Sequence, residues 1–539
     1  MYYFDLFHLS SYLSLMYNKK EENNKYYKGE FKMRGIYSSL TDIRRKVFVE
    51  VAKLAYEGND YSRIETLPYK IIPGEIATYR DSVFLERAIV GERIRLCMGL
   101  SMRPANEPAP ISENIEDSIK AEKYYEPPLI NIIKFACNSC PDKKFEISDG
   151  CMGCLAHPCM EVCPKKCISF KDGRAHINQE DCIKCGRCKD VCPYGAILKK
   201  ERPCAQACGM DAIGSDEFGR AHIDYEKCVS CGMCLVNCPF GAIADKSQIF
   251  QLIQAIKEGD QIIAAVAPAF VGQFGPTVTP GKLKEAMKIL GFEDMVEVAI
   301  GADLCTVEEA DDFIQKVPNE QPFMATSCCP SWSMMAKKLF PEFKSYISMA
   351  LTPMVLTARL IKEKHPNAKV VFIGPCAAKK LEASRKSVRS EVDFVLTFEE
   401  LAAMFASKEI DFNKIESDED PFNVASGDGR GFAVSNGVAN AVVNVIKEKY
   451  PDREVKTASA QGLRNCKQML QIAKSGKYDG YLLEGMGCPG GCIAGAGTLQ
   501  PIVKSTALVN KYKSDSTIKS ASDDQYKERL HDLVHKFDE

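Results

Sequence analysis

The sequence lacks what would direct a chain to a membrane, a nucleic acid or a secretory route. It has no run of about 18 apolar residues to cross a bilayer. Its 70 Lys and Arg face 72 Asp and Glu, a formal charge of -2. That leaves no basic field for nucleic acid and no polybasic stretch for a membrane surface. The first 17 residues are apolar and aromatic, but they lack a basic start and a small-residue cleavage site, and they carry Asp5. The pair Arg44-Arg45 precedes Val47–Gly58, whose Glu50, Lys53 and Glu57 make it an amphipathic helix and not a signal core. These absences predict a reducing, cytoplasmic setting. Met33 offers an alternative start, so residues 1–32 read as an upstream extension.

Cysteine, by contrast, is abundant. There are 25, and 17 lie between Cys137 and Cys238. In a chain of 539 residues without a secretory signal, such density points to metal and not to disulfides. The length allows three or four domains at roughly 100–200 residues each. With 45% hydrophobic and 26% charged residues, the chain can bury a sizeable core.

Four stretches differ in character. Residues 1–135 are mostly helical in pattern, and Arg103–Pro110 reads as a loop. Residues 136–246 hold the dense cysteines. Residues 247–510 read as α/β, with candidate buried strands at Ile262–Ala267, Val370–Ile373, Phe394–Thr397 and Gly480–Leu483. Helical patterns at Gly281–Leu290 and Gly437–Lys447 lie between them. Residues 511–539 read as a tail.

The cysteine region repeats itself. Cys182-x2-Cys185-x2-Cys188-x3-Cys192-Pro recurs as Cys228-x2-Cys231-x2-Cys234-x3-Cys238-Pro, and Cys159-x3-Cys163 recurs as Cys204-x3-Cys208. This run, present twice, is the bacterial two-cluster ferredoxin pattern. Three closely spaced thiolates wrap one face of a 4Fe-4S cube, and the fourth is carried to the partner cluster. The expected sets are Cys182, Cys185 and Cys188 with Cys238, and Cys228, Cys231 and Cys234 with Cys192. Nine cysteines remain. By analogy with multi-cluster electron-transfer subunits, one further cluster would take Cys151, Cys154, Cys159 and Cys208. Another would take Cys137, Cys140, Cys163 and Cys204, leaving Cys167 spare. A zinc site at Cys137, Cys140, Cys151 and Cys154 is the alternative. His176 and His222 read as hairpin residues, and Cys97 and Cys466 as buried small side chains.

Cys328, Cys329, Cys376, Cys488 and Cys492 are far apart in sequence, each in a loop bearing Gly or Pro. Four could hold one more 4Fe-4S cluster. The loops Thr326-Ser-Cys-Cys-Pro330, Pro375-Cys-x2-Lys379-Lys380-x-Glu382 and Glu484-x-Met486-x-Cys488-x2-Gly491-Cys492 resemble the three signature loops of FeFe (iron-only) hydrogenases. The resemblance runs from about Gln261 to Pro501. It implies a two-lobed α/β hydrogenase domain of parallel sheets flanked by helices, with an H-cluster in the cleft. An α+β ferredoxin-like module and a helical region would precede it. Cys329, Cys376, Cys488 and Cys492 would hold the cubane of the H-cluster, and Cys492 would bridge to its di-iron unit, which bears carbonyl, cyanide and a dithiolate. Lys379 would donate to a cyanide, and Pro268, Phe432 and Met486 would line the pocket. Protons would pass through Cys328, Glu309, Ser348 and Asp312, with Lys316 near the surface. The reaction implied is reversible H2 oxidation, with ferredoxin or flavodoxin as electron partner and dedicated maturation proteins to build the di-iron unit.

Some positions depart from the well-studied members. Gly374 stands where Met is usual, Ser331 where Gly is usual, and Ala269 where Ser is usual. Asp312 replaces a Glu and Lys316 an Arg. These resemble a divergent subgroup called group B. The rival readings are a hydrogen sensor, a non-enzymatic iron–sulfur assembly factor of the Nar type, and an electron carrier without the di-iron unit. Residues 511–539 are too short for a signalling domain, and an assembly factor would not need Cys328, Lys379 or Glu309.

Overall fold

A computed structural model describes residues 38–537 apart from 59, 121–126, 418–421 and 423. The amino-terminal apolar stretch and Met33 therefore lie outside the described residues. Among those described, no helix is long and apolar enough to cross a membrane.

Among the described residues, fifteen strands and their helices fall into three regions. The first is helical over most of its described residues. Helix α1 (Ser39–Glu57) is capped by Ser38, whose side chain accepts from the Thr41 N–H, and helix α2 (Val83–Cys97) is capped likewise by Ser82. This region does not stand alone. Its apolar residues share one core with the later α/β sheet. Arg44 and Arg45 both bond the carboxylate of Glu399, Arg45 at 3.1 Å, so the twin arginine is a structural clamp.

The cysteine region is built from four two-stranded antiparallel ribbons. Strand β1 (Ile130–Ile132) pairs with β8 (Ile243–Asp245), and β2 (Lys144–Ile147) with β5 (Ile197–Lys200). The hairpins β3 (Ile168–Lys171) with β4 (Arg174–Ile177), and β6 (Ile213–Ser215) with β7 (Ala221–Ile223), complete it. His176 and His222 sit exposed on β4 and β7, in the hairpins as expected. Cys97 and Cys466 are buried.

The third region carries two parallel sheets. One has the order β10-β9-β12-β13: Asp294–Glu297, Ile262–Val266, Lys369–Gly374 and Phe394–Thr397. The other has the order β11-β15-β14: Met324–Ala325, Tyr481–Met486 and Lys456–Gln461. The strands β9 and β13 are buried along their whole length, because helices cover both faces. The four expected strands are present within a few residues of their predicted bounds. The sequence reading missed β10, β11 and β14. β14 alternates exposed and half-buried residues at a sheet edge, so it carries no apolar run.

The expected boundary at 510 and the tail expected beyond it differ from the structure. Position 510 falls inside a helix, Ile502–Ser514. The carboxy-terminal segment is docked rather than trailing. Leu533 is buried, and the Arg359 guanidinium donates to the Leu533 and Val534 carbonyls.

Candidate active site

The site is built from four loops that leave the carboxyl ends of parallel strands, two from each sheet. Ala267-Pro268 follows β9, Pro375-Cys376 follows β12, the Cys328-Cys329 loop follows β11, and Gly487-Cys488 follows β15. Such strand ends face a shared crevice, where ligands of α/β proteins gather. Here the crevice encloses about 830 Å³ of space, its open mouth included. Cys328, Cys329, Cys376, Cys488 and Cys492 all line it, with Pro268, Lys379, Phe432 and Met486. Val298, Ala302, Met354 and Phe372 also line it. Sequence reasoning missed these four because they lie on ordinary apolar stretches.

Local packing fixes the loops. Trp332 is fully buried and donates its indole N–H to the Thr326 carbonyl at 2.9 Å, which pins the Cys328-Cys329 loop across its own helix start. A Cβ on Gly485 would lie 2.1 Å from the Trp332 ring, so only glycine lets β15 pass there. The Glu484 carboxylate accepts the N–H groups of Asn436 and Ala439 at 2.7 and 2.8 Å, capping the helix Gly437–Lys449.

Cys376 and Cys492 lie within electrostatic reach of Cys329, and Cys492 of Cys376. Burial pushes the Cys376 thiol up to about 11, and Cys492 also rises. Thiols this close and this dry resist ionising unless a soft metal takes the charge. The Gly487 N–H points at the Cys329 sulfur, 3.3 Å away. The donor set therefore fits an iron–sulfur cubane. Lys379 is buried, pairs with Glu382 at 2.6 Å and donates to the Cys328 carbonyl at 3.4 Å. Burial opposes its charge, but Glu382 outweighs this and holds its pKa above the ordinary value.

Behind Cys328 runs the helix Ala299–Lys316. Its Glu309 is fully buried and accepts the Ser327 N–H at 3.0 Å, with Ser348 beside it. Burial raises the Glu309 carboxyl to about 7. Asp312, one turn on, pairs with Lys316 at 2.9 Å toward solvent. Sequence reasoning gave Glu308 no part in the path. It is half-buried, lies near Asp312, and is raised to about 7, chiefly by burial.

The expected grouping of the accessory cysteines does not hold. Cys188 has Cys182, Cys185 and Cys163 around it, not Cys238. Cys192 lies with Cys151 and Cys159, not with Cys228. Cys238 lies with Cys137, Cys140 and Cys204, and Cys208 with Cys228, Cys231 and Cys234. The fourth cysteine is exchanged inside each half rather than between halves. The zinc set fails for the same reason, since Cys137 and Cys151 belong to different groups. Cys167 is not isolated: its sulfur is 3.5 Å from that of Cys163. The group around Cys231 abuts Cys376, which joins the two regions. Ser331 reaches across the same seam, 3.5 Å from the Val229 carbonyl.

Both cysteine-bearing regions are similar to known proteins. Residues 260–496 match the family described as iron only hydrogenase large subunit, C-terminal domain. Residues 175–198 and 220–243 each match a 4Fe-4S binding domain. Iron hydrogenase 1 of Clostridium pasteurianum is 29% identical over 429 residues, covering 68% of this chain and 73% of that protein. The periplasmic Fe hydrogenase large subunit of Nitratidesulfovibrio vulgaris is 29% identical over 309 residues, 48% of this chain and 73% of that one. A cytosolic Fe-S cluster assembly factor of Danio rerio is 26% identical over 279 residues, 42% of this chain and 68% of its own. An apo FeFe hydrogenase structure from Chlamydomonas reinhardtii is 21% identical and covers 53% of this chain and 97% of its own, at a TM-score of 0.46. Residues 260–496 are thus similar to the C-terminal domain of iron-only hydrogenase large subunits, and the cysteine-rich region before them to 4Fe-4S binding domains.

Proposed function

We propose that the chain is a hydrogenase of divergent, group B-like character, interconverting H2 with protons and electrons. The supporting observation is the meeting of five cysteines, Lys379 and a route to a buried carboxyl in one apolar crevice. Four cysteines suit a cubane, and the fifth, Cys328, sits on the side where Glu309 lies.

In this reading Cys329, Cys376, Cys488 and Cys492 hold the H-cluster, and its di-iron unit supplies the site where hydrogen is made or split. The residues around it do the rest. Pro268, Phe432 and Met486 exclude water. Lys379, held by Glu382, offers a cation to an anionic ligand. Cys328 holds a proton at its sulfur, and Glu309 and Ser348 stand behind it toward Asp312 and Lys316. A carboxyl raised to about 7 gains and loses a proton near neutral pH, which suits a relay. The accessory cysteines would hold clusters that supply an electron path to a ferredoxin or flavodoxin in the cytoplasm, and the cysteines around Cys231, beside Cys376, would hold the cluster nearest the crevice. Maturation proteins build the di-iron unit.

The likeness to a cytosolic assembly factor motivates a second reading, a scaffold without turnover. Cys328, Lys379 and Glu309 have no task in a scaffold, and all three are in place here. Hydrogen evolution from reduced methyl viologen by anaerobically matured protein tests the proposal. No turnover, with the di-iron unit shown present by its infrared bands, refutes it.

A further inference from the structure

Only two complete ferredoxin runs are visible in sequence, yet the backbone repeats one loop form four times. The four C-x2-C loops begin at Cys137, Cys151, Cys182 and Cys228. In each, the residue before the second cysteine has a left-handed backbone: Ser139 (φ 47°), Gly153 (φ 62°), Lys184 (φ 56°) and Ser230 (φ 53°). Three of these are not glycine, so the conformation is held against its cost. Each loop also has a later cysteine as the second residue of a short helix: Cys204 in Pro203–Gln206, Cys159 in Pro158–Glu161, Cys188 in Arg187–Asp190 and Cys234 in Met233–Asn237. Cys163, Cys192, Cys208 and Cys238 each follow such a helix. Three residues beyond each of them the backbone is again left-handed, at Lys166, Gly195, Asp211 and Gly241.

Topology divides these loops into two halves. The ribbon β2–β5 with hairpin β3–β4 frames Cys151 to Cys192. The ribbon β1–β8 with hairpin β6–β7 frames Cys137, Cys140 and Cys204 to Cys238. The first half therefore lies wholly inside the second, between Cys140 and Cys204. Its two ends meet at a neck, where Arg202 pairs with Asp142 at 2.9 Å. The apolar packing divides likewise. Phe145 and Ile168 pack with the cysteines of the inner half, and Ile130 and Ile243 with those of the outer half.

We infer that the region is one two-cluster ferredoxin inserted into a loop of another, binding four 4Fe-4S clusters. The inner pair is Cys151, Cys154, Cys159 with Cys192, and Cys182, Cys185, Cys188 with Cys163. The outer pair is Cys137, Cys140, Cys204 with Cys238, and Cys228, Cys231, Cys234 with Cys208. The inference deepens the iron–sulfur part of the proposed function and rests on it. Insertion explains why the outer run is unreadable in sequence: its first two cysteines are cut off from the third by a whole module. Cys167, its sulfur 3.5 Å from that of Cys163, belongs to none of these four sets.

The test counts iron and acid-labile sulfide in full-length protein, reconstituted anaerobically without maturation proteins, so that all iron resides in cubanes. The parent should hold about 20 irons, about 4 for each of four accessory clusters and the catalytic cubane. Cys151→Ala and Cys192→Ala strike one cluster, so the double variant should lose about 4 irons, no more than either single change. Cys192→Ala with Cys228→Ala strikes two and should lose about 8. The reverse pattern overturns the pairing, and a parent with only about 12 irons overturns the four-cluster count. A parent holding no cluster iron overturns the iron–sulfur reading itself. A chain with residues 143–201 replaced by a short glycine bridge supplies a second measure. It should keep about 8 accessory irons with their reduced-state EPR signals, and loss of all accessory iron refutes nesting.

Discussion

Glu309→Gln gives one carboxyl two effects of opposite sign. In the fold this group titrates near 7 instead of about 4.5, chiefly because it is buried. Glu308, Cys305 and Cys328 face it, and the Ser327 N–H donates to it. The sign follows from linkage. Below about pH 4.5 the carboxyl is neutral both folded and unfolded and has no pH-linked cost. As pH rises toward and past 7, the unfolded chain ionises freely while the folded one resists. At roughly 1.4 kcal/mol per pH unit, the native state has lost about 1 kcal/mol at pH 5 and about 3 kcal/mol by pH 8. Glutamine keeps an oxygen for the Ser327 N–H and removes that penalty. Whatever constant offset its amide brings, the change in melting temperature should be more favourable at pH 8 than at pH 5 by about 2 °C for a chain of 539 residues. Over the same range, turnover should fall by about 10²–10⁴-fold, as expected for a lost proton donor and acceptor. Thermal unfolding of protein lacking the di-iron unit reads the first effect, and viologen-driven hydrogen evolution by matured protein reads the second. A melting shift independent of pH refutes the buried-carboxyl argument. Turnover equal to the parent refutes the relay.

Other expectations follow from single contacts. Cys328→Ala should leave the infrared bands of the matured site in place while lowering turnover at least about 100-fold; parent-like turnover would remove Cys328 from the path. Lys380 is fully buried between Asp245 and Glu400, at 3.0 and 2.8 Å, and ties the ferredoxin region to the α/β region. Lys380→Met strands two carboxylates and should cost about 3–5 kcal/mol, measured by thermal or denaturant unfolding. Gly374→Met should fail to fill its site alone, because a Cβ there lies 2.7 Å from the Phe372 ring. Paired with Phe372→Ala it should recover matured-site infrared bands and stability; equal behaviour of the single and double variants would refute this coupling.

The active-site loops were legible because each carries its chemistry in a short window and ends a buried apolar strand. Pro268, Phe432 and Met486 were reached by resemblance, and all three face the crevice. Gly374 was legible as a departure, but not its compensation, since Phe372 fills the space from a neighbouring position on the same strand. The edge strand β14 gave no signal because an alternating, half-wet strand resembles a loop. The accessory grouping was misread for a different reason. Periodicity found the repeat at an offset of about 46 residues, but repeats in sequence do not state which copy encloses which. Only the pairing of β1 with β8 around β2–β5 does. The amino-terminal helices likewise read as a separate domain because their partner, Glu399, lies far along the chain from Arg44 and Arg45.

Enclosure of one module by another also sets an order of birth. Cys137 and Cys140 leave the ribosome first, yet their partners Cys204 and Cys238 come last. At about 5–20 residues per second, the two early thiols wait roughly 5–20 s with nothing to close on. The inner module is complete well before then. Once it folds, its neck at Asp142 and Arg202 turns a long, entropically costly closure into a short one. The enclosed ferredoxin is thus a folding tool for its host, and the outer clusters are the ones that brief contact with oxygen during synthesis would cost the protein first.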